Sequence, residues 1–469
     1  MPLLPVIENS NTLSRRGFLG ACAGCAACSV CPSSASAAPE EKARVRLVFT
    51  HPPKDLEGWP YVNYNYEPRK QEVLKRLTAA LPGVEFLPLT VMKQEEAKAL
   101  LENDADIDGY LCYMMGIPSA RAARILMDAG RRVVVVDDLY GGTGEFLPTY
   151  AYARRQKLKV AGVSSARFQD VIDTTRVFAV QRKLRSSTIL DVCDRRDSTL
   201  PKAITDAFGV QIRTTSSEEI NAAYKSAGQA EAEKWAKTWI AGAKKVVEPK
   251  RDEIVRSGLM YVAMRQLMAD TKAQAIDIDC LRMFYGKKLP AYPCLGFFQL
   301  NNDGLVGACE ADLNSTISML AMTYLTNRPG YISDPVIDTS KNQIIYAHCV
   351  APTKMYGPNG KSNPYHIRDH SEDRKGAVVQ SFMPLGEMTT TIMLSAPRKE
   401  MVIHQGRSVA NIEEDRACRS KLAVEVKDVH KLLGEWDRWG WHRVTFYGDL
   451  RQTFEAFAAL SGFQTVAEG

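Results

Sequence analysis

The most constraining feature of the sequence is the regular alternation of short apolar runs with amphipathic stretches between about residues 44 and 280. The segment Arg132–Asp137 contains four consecutive valines. An unbroken apolar run of this kind is typical of a central strand in a parallel sheet. Helix-like stretches such as Arg69–Leu81 separate such runs, as βαβ units require. The pattern therefore predicts an α/β fold class.

The length and the change of period along the chain predict three domains. A chain of 469 residues exceeds what one hydrophobic core usually supports. A second α/β unit is expected from strands at Ser187–Val192 and Ala275–Cys280, with the apolar run Gly296–Leu300 as the last element of its sheet. From Gln343–His348 onward, short β-strands dominate. We predict two consecutive Rossmann-like α/β domains, residues 39–170 and 171–342, followed by a β-rich, barrel-like domain, residues 343–469.

The N-terminal segment predicts export. Arg15 and Arg16 precede a weakly apolar stretch, and Ala35–Ala37 offers an A-x-A cleavage site. We expect a twin-arginine (Tat) signal over residues 1–38, export by the Tat machinery and a periplasmic or other extracytoplasmic location. An iron–sulfur run and a lipid anchor are alternatives for the cysteines of this segment. These are Cys22, Cys25, Cys28 and Cys31.

Composition excludes some functional classes and leaves small ligands open. The formal charge of +6 is spread along the chain without a basic tail, which argues against nucleic acid as a partner. After the signal, no stretch of about 18 apolar residues predicts a membrane span. The remaining seven cysteines have no paired spacing, so we expect most of them to be small buried hydrophobic residues rather than a disulfide framework.

Four residues with metal-binding side chains end successive predicted elements near one domain junction: Glu310, Asp334, His348 and His442. Two carboxylates and two imidazoles suit a divalent ion such as Mn²⁺. Each residue also has an ordinary structural interpretation. Glu310 and the nearby Asp312 fit the first turn of a helix, and Asp334 fits an Asp-Pro turn. His348 fits a buried position bonded to the backbone, and His442 fits a boundary position beside Trp441.

The C-terminal part of the chain, from about residue 295, resembles the L-fucose/L-arabinose isomerase family of aldose–ketose isomerases. The segment Glu310–Thr316 resembles the turn and helix that carry the first metal carboxylate in that family. Asp334 falls where the second carboxylate is expected. Ala347–Cys349 and Trp441–Asp449 look like the segments that carry the family's histidines.

The resemblance implies a metal-dependent sugar isomerase. Glu310, Asp334, His348 and His442 would bind Mn²⁺ or another divalent ion. Glu310 and Asp334 would also move a proton between neighbouring carbons of a small open-chain sugar through an enediol. A homo-trimer or homo-hexamer is expected. Aromatic side chains that could contact the sugar are Trp439, Trp441 and Tyr447. Two alternatives remain: an exported, vestigial carbohydrate-binding protein without activity, and an epimerase or lyase that acts on a modified sugar.

Overall fold

A computed structural model of the chain describes residues 41–469. The predicted Tat signal and its four cysteines, Cys22, Cys25, Cys28 and Cys31, lie outside the described residues. None of the helices within residues 41–469 has both the length and the apolar character that a membrane crossing requires. The cysteines of this part of the chain are all free and buried: Cys112, Cys193, Cys280, Cys294, Cys309, Cys349 and Cys418.

The first sheet has five parallel strands in the order β2-β1-β3-β4-β5. Its valine run, β4, is an interior strand buried on both faces, as expected for a parallel sheet covered by helices. The elements are β1 (Ala43–Thr50), α1 (Glu67–Ala80), β2 (Val84–Val91), α2 (Gln94–Asn103), β3 (Gly109–Met114), α3 (Ala122–Asp128), β4 (Val133–Asp137), α4 (Thr143–Arg155), β5 (Val160–Val163) and α5 (Phe168–Arg185).

The second sheet has four parallel strands in the order β10-β9-β6-β7. The helix α6 ends where Gly209 adopts φ 75°, a left-handed conformation that glycine accepts without steric cost. The elements are β6 (Thr188–Val192), α6 (Thr199–Phe208), β7 (Gln211–Thr215), α7 (Ser217–Ser226), α8 (Gln229–Gly242), α9 (Arg251–Thr271), β9 (Ala275–Ile278), α10 (Cys280–Tyr285), α11 (Cys294–Asn302), β10 (Val306–Cys309) and α12 (Leu313–Thr326).

One sequence-based expectation for this sheet is wrong. The run Gly296–Leu300 does not end the sheet, because it lies within the helix α11, and β10 is the strand that completes the sheet. Gly296, Phe297, Phe298 and Leu300 are all buried in the helix. A short segment that is apolar on every side has no periodicity to separate a buried helix from a buried strand.

The C-terminal part forms a six-stranded antiparallel barrel in the order β15-β18-β11-β12-β17-β16, which closes because β15 also pairs with β16. Closure leaves no unpaired edge in the ring. The barrel elements are β11 (Tyr331–Asp338), β12 (Gln343–His348), β15 (Met388–Ser395), β16 (Glu400–Asn411), β17 (Ser420–Val426), α13 (Val429–Glu435), a 3₁₀ turn (Trp436–Trp439), β18 (Arg443–Tyr447), α14 (Arg451–Leu460) and β19 (Gln464–Ala467), which pairs with β16.

A small sheet of β8 (Lys245–Val246), β13 (Tyr365–Arg368) and β14 (Val378–Ser381) joins a strand from the second α/β segment to two strands of the C-terminal segment. The α/β class and the barrel-like C-terminal part are confirmed. The domain boundaries at residues 170 and 342 stay predictions. By sheet membership, β11 already belongs to the barrel although it precedes residue 343.

Candidate metal centre

Glu310 directly follows β10, at the carboxyl edge of the second sheet, where parallel α/β sheets usually bind ligands. Glu310 and Ala311 have φ values of 67° and 53°, so two consecutive residues with side chains adopt the left-handed conformation. Such a conformation costs free energy and persists only where neighbouring groups hold it. One holding contact is the Ala311 N–H, which donates to the Ile278 carbonyl oxygen at 3.1 Å.

Arg196 provides the second contact that holds this turn. Its Nη2 donates to the Ala311 carbonyl oxygen at 2.8 Å. Its Nε and Nη2 also donate to both carboxylate oxygens of Asp191, at 2.8 and 2.6 Å. Because Asp191 is fully buried and the pairing is bidentate, the guanidinium has one defined orientation. Arg196 therefore fixes the backbone that directs Glu310.

Asp334 and His348 come from neighbouring strands of the barrel. Asp334 pairs with Ala347 across β11 and β12, and His348 follows Ala347 as the last residue of β12. The Trp441 indole Nε1–H donates to Asp334 Oδ1 at 2.7 Å. Burial favours a higher pKa for Asp334, but the His348 and His442 imidazoles and the Trp441 donor together lower this pKa to about 2. Asp334 is therefore a carboxylate at neutral pH.

His442 lies just before β18, and its orientation is set by Asp312. His442 Nδ1–H donates to Asp312 Oδ2 at 3.0 Å, a proton position that the hydrogen-bond network assigns. Asp312 caps α12, because its Oδ1 accepts the backbone N–H groups of Asn314 and Ser315. A carboxylate bonded to one ring nitrogen leaves the other nitrogen free to bind a metal.

The Nε2 atom of His442 lies between two carboxylates. It is 3.4 Å from Glu310 Oε2 and 3.3 Å from Asp334 Oδ1, yet it is aligned for a hydrogen bond with neither. Burial alone would lower the pKa of His442, but Asp312, Asp334 and Glu310 hold this pKa well above its usual range. Without a metal, a proton on His442 would offset part of the negative charge of the three carboxylates.

The structure brings together all four residues that the sequence analysis selected. Glu310, Asp334, His348 and His442 each present one ligand atom, and these atoms lie within 4.8 Å of one another. The Nε2 atoms of both histidines are buried without a hydrogen-bond partner among residues 41–469. Buried polar atoms without partners are costly unless a ligand satisfies them. A donor set of two carboxylate oxygens and two imidazole nitrogens fits a divalent ion of the Mn²⁺ type.

The three aromatic residues named as sugar contacts differ in their burial. Trp439 is buried and donates to Glu400 Oε2, and Tyr447 is buried with its hydroxyl donating to the Pro384 carbonyl oxygen. Both belong to the protein interior. Trp441 is 58% exposed and touches Asp334, so it is the one of the three that can meet a ligand at the site.

The chain is similar to proteins named sulfoquinovose isomerase. It is 27% identical over 150 residues to the one from Alkalicoccus urumqiensis, covering 31% of this chain and 33% of that protein. It is 23% identical over 274 residues to one from Clostridium sp. (strain MSTE9), covering 56% and 59%. The match to the Priestia aryabhattai protein is 26% over 222 residues, covering 46% and 49%. The matched regions thus span between one third and three fifths of these relatives, and no protein-family model matches the chain.

Two residues that shape the site have functions that the sequence analysis did not identify. Asp312 was considered only as an acid in the first turn of a helix, and Arg196 was not considered. The Asp-x-x-Ser spacing of Asp312 and Ser315 identifies the helix cap but not the contact with His442. No local pattern connects Arg196 to Ala311, because the two residues lie in different βα connections of the second sheet.

Proposed function

We propose that this protein is a divalent-metal-dependent aldose–ketose isomerase, with a sulfonated hexose as its substrate. The cluster of Glu310, Asp334, His348 and His442 is the observation that carries the proposal. The names of the relatives support the reaction class and the substrate, because sulfoquinovose is a sulfonated hexose. They favour an isomerase over the carbohydrate-binding, epimerase and lyase alternatives.

Glu310, Asp334, His348 and His442 would hold the ion, which we propose to be Mn²⁺. A bound divalent ion supplies Lewis-acid polarisation of the sugar oxygens on the two reacting carbons. Asp312 keeps the Nδ1 proton of His442 in place, so that the opposite nitrogen faces the cluster. The left-handed turn at Glu310 and Ala311 directs the first carboxylate toward the same point.

Glu310 and Asp334 are the proposed catalytic pair. Each carboxylate has two oxygens, so one oxygen can face the ion while the other is available for proton transfer. Both side chains are 21% exposed, which leaves them accessible to a sugar while the two histidines are buried. One carboxylate removes the proton from C2 of the open-chain aldose to give an enediol, and the other, which exchanges its proton with solvent, assists delivery of a proton to C1. The Trp441 indole N–H holds one oxygen of Asp334.

The location and assembly of the protein are part of the same proposal. We propose Tat-dependent export to the periplasm or another extracytoplasmic compartment, and assembly into a homo-trimer or homo-hexamer. Replacement of Arg15 and Arg16 by lysine should retain the protein in the cytoplasm, as cell fractionation would show. Light scattering of the purified protein measures the assembly, and a monomer at micromolar concentration would contradict this part.

The activity is tested by incubating the purified protein with sulfoquinovose and separating aldose from ketose by chromatography. Ketose should form with Mn²⁺ present, and its formation should stop when a chelator removes the ion. Glu310→Gln and Asp334→Asn should each reduce kcat by at least about 100-fold, since each removes a proton-transfer group and a ligand. Glu425→Gln and Asp338→Asn are matched controls on the barrel, and their activity should equal that of the wild type.

Ketose formation that survives complete metal removal, or that is retained in both site variants, would contradict the proposal.

A further inference from the structure

A cavity of about 340 Å³ opens at the carboxyl edge of the second sheet, where β6 and β9 end. We call it the edge pocket. Its lining is almost entirely charged, with one buried methionine, and consists of Asp194, Arg195, Asp279, Arg282, Met283 and Lys288. None of these six residues takes part in the contacts described above for the metal centre.

Two connections place the edge pocket beside the metal centre. Arg195 precedes Arg196, whose guanidinium donates to the carbonyl oxygen of Ala311, the residue after Glu310. Asp279 follows Ile278, which pairs with Cys309, the residue before Glu310. Because β9 separates β6 from β10, the ends of the two strands that lead to Arg195 and Glu310 lie two strand spacings apart, about 10 Å. A hexose and an extended arginine side chain are together long enough to bridge a distance of this order.

The charges of the edge pocket leave one cation without a partner. Lys288 Nζ is paired with Asp194, and Arg282 with Asp279 at 3.5 Å. Within residues 41–469, the Arg195 guanidinium makes neither a hydrogen bond nor an ion pair, although it lines the same cavity. Three cations against two carboxylates give the pocket a net positive charge, which is opposite to that of the metal-binding cluster.

We propose that the edge pocket binds the anionic group at the far end of the sugar, with Arg195 as its principal contact. This inference rests on the proposed function and deepens it by assigning residues to substrate specificity. The ligand chemistry is an oxyanion on the terminal carbon of a hexose. A guanidinium suits such a group because its parallel N–H donors match two oxyanion oxygens. Arg282 and Lys288 raise the local positive potential.

The proposal is tested by measuring kcat/KM for sulfoquinovose and for its uncharged parent, glucose, with Mn²⁺ present. The wild type should prefer the sulfonated sugar, and Arg195→Ala should reduce the ratio of the two kcat/KM values by about 10- to 100-fold, the loss expected for one charge-assisted hydrogen bond. Arg195→Lys should restore part of the ratio. Arg213→Ala, an exposed arginine on β7 that does not line the pocket, is the matched control and should leave the ratio unchanged.

Calorimetry separates failure of this inference from failure of the proposed function. If no sugar is isomerised, yet sulfoquinovose binds and Arg195→Ala weakens that binding by the same 10- to 100-fold, the anion site is supported and the isomerase proposal fails. If the wild type isomerises both sugars with equal kcat/KM, or Arg195→Ala keeps the wild-type ratio, the isomerase proposal stands and the anion site is overturned. If the anion site is supported, the kcat/KM values for glucose 6-phosphate and glucuronate show whether the pocket selects sulfonate over other oxyanions.

Discussion

The variant Asp312→Asn should weaken metal binding without unfolding the protein. Asp312 Oδ2 accepts the Nδ1–H of His442 at 3.0 Å, and an asparagine NH₂ group at that position cannot accept it. The change also removes one carboxylate charge beside the ligands. Loss of such a supporting bond typically costs 10- to 100-fold in metal affinity. This corresponds to about 1.4–2.7 kcal/mol, so the dissociation constant for Mn²⁺ should rise by one to two orders of magnitude.

The free energy of unfolding of Asp312→Asn should differ little from that of the wild type, because asparagine caps helices as well as aspartate does. The remaining oxygen of residue 312 can still accept the N–H groups of Asn314 and Ser315. The assay is calorimetric titration of metal-free protein with Mn²⁺, accompanied by thermal unfolding. Asp428→Asn is the matched control, since Asp428 caps α13 through the Lys431 N–H and touches none of the four ligands. Unchanged Mn²⁺ affinity in folded Asp312→Asn protein would refute the orienting role of Asp312.

Trp441, two buried carboxylates and His442 each give a further testable expectation. Trp441→Phe removes the N–H donor to Asp334 and keeps an aromatic ring, so calorimetry should show Mn²⁺ affinity reduced about threefold to tenfold. In the metal-free protein, the pKa of Asp334 is lowered to about 2, and so is the pKa of Glu468, a buried carboxylate that pairs with His404 and Arg443. The stabilisation from both groups is complete above their ordinary pKa values near 4 and is lost as the pH falls toward 2. Urea unfolding should therefore show the free energy of unfolding falling between pH 4 and 2, less steeply in Asp334→Asn. The pKa of His442 is raised, so this imidazole carries a proton at neutral pH that metal binding must displace. The affinity for Mn²⁺ should therefore rise with pH up to that pKa. Calorimetry in buffers of different ionisation enthalpy should detect the released proton.

The fold was largely predictable because the periodicity of the chain changes where the architecture changes. The valine run of β4 and the strand Gln343–His348, which is β12, were assigned correctly from that periodicity. The run Gly296–Leu300 was assigned incorrectly because a helix buried on all sides has no polar face to reveal its period. The closure of the barrel between β15 and β16 depends on tertiary pairing that no local pattern specifies.

The four ligands were selected from residue type and from their positions at the ends of elements, and the structure places their ligand atoms together. Local sequence patterns could not predict the groups that orient these ligands. Asp312 and His442 are 130 residues apart, and Arg196 reaches Ala311 over 115 residues. Such contacts exist only once the second sheet and the barrel are assembled.

Solvent deuterium incorporation tests the central claim most directly. The full chain is incubated with sulfoquinovose in D₂O, with Mn²⁺ or with a chelator, and the ketose is separated and weighed by mass spectrometry. Proton transfer by Glu310 and Asp334 through an enediol predicts a ketose that carries one solvent deuterium on carbon and forms only when the ion is present. Absence of ketose, ketose without deuterium, or equal formation after chelation would contradict the account.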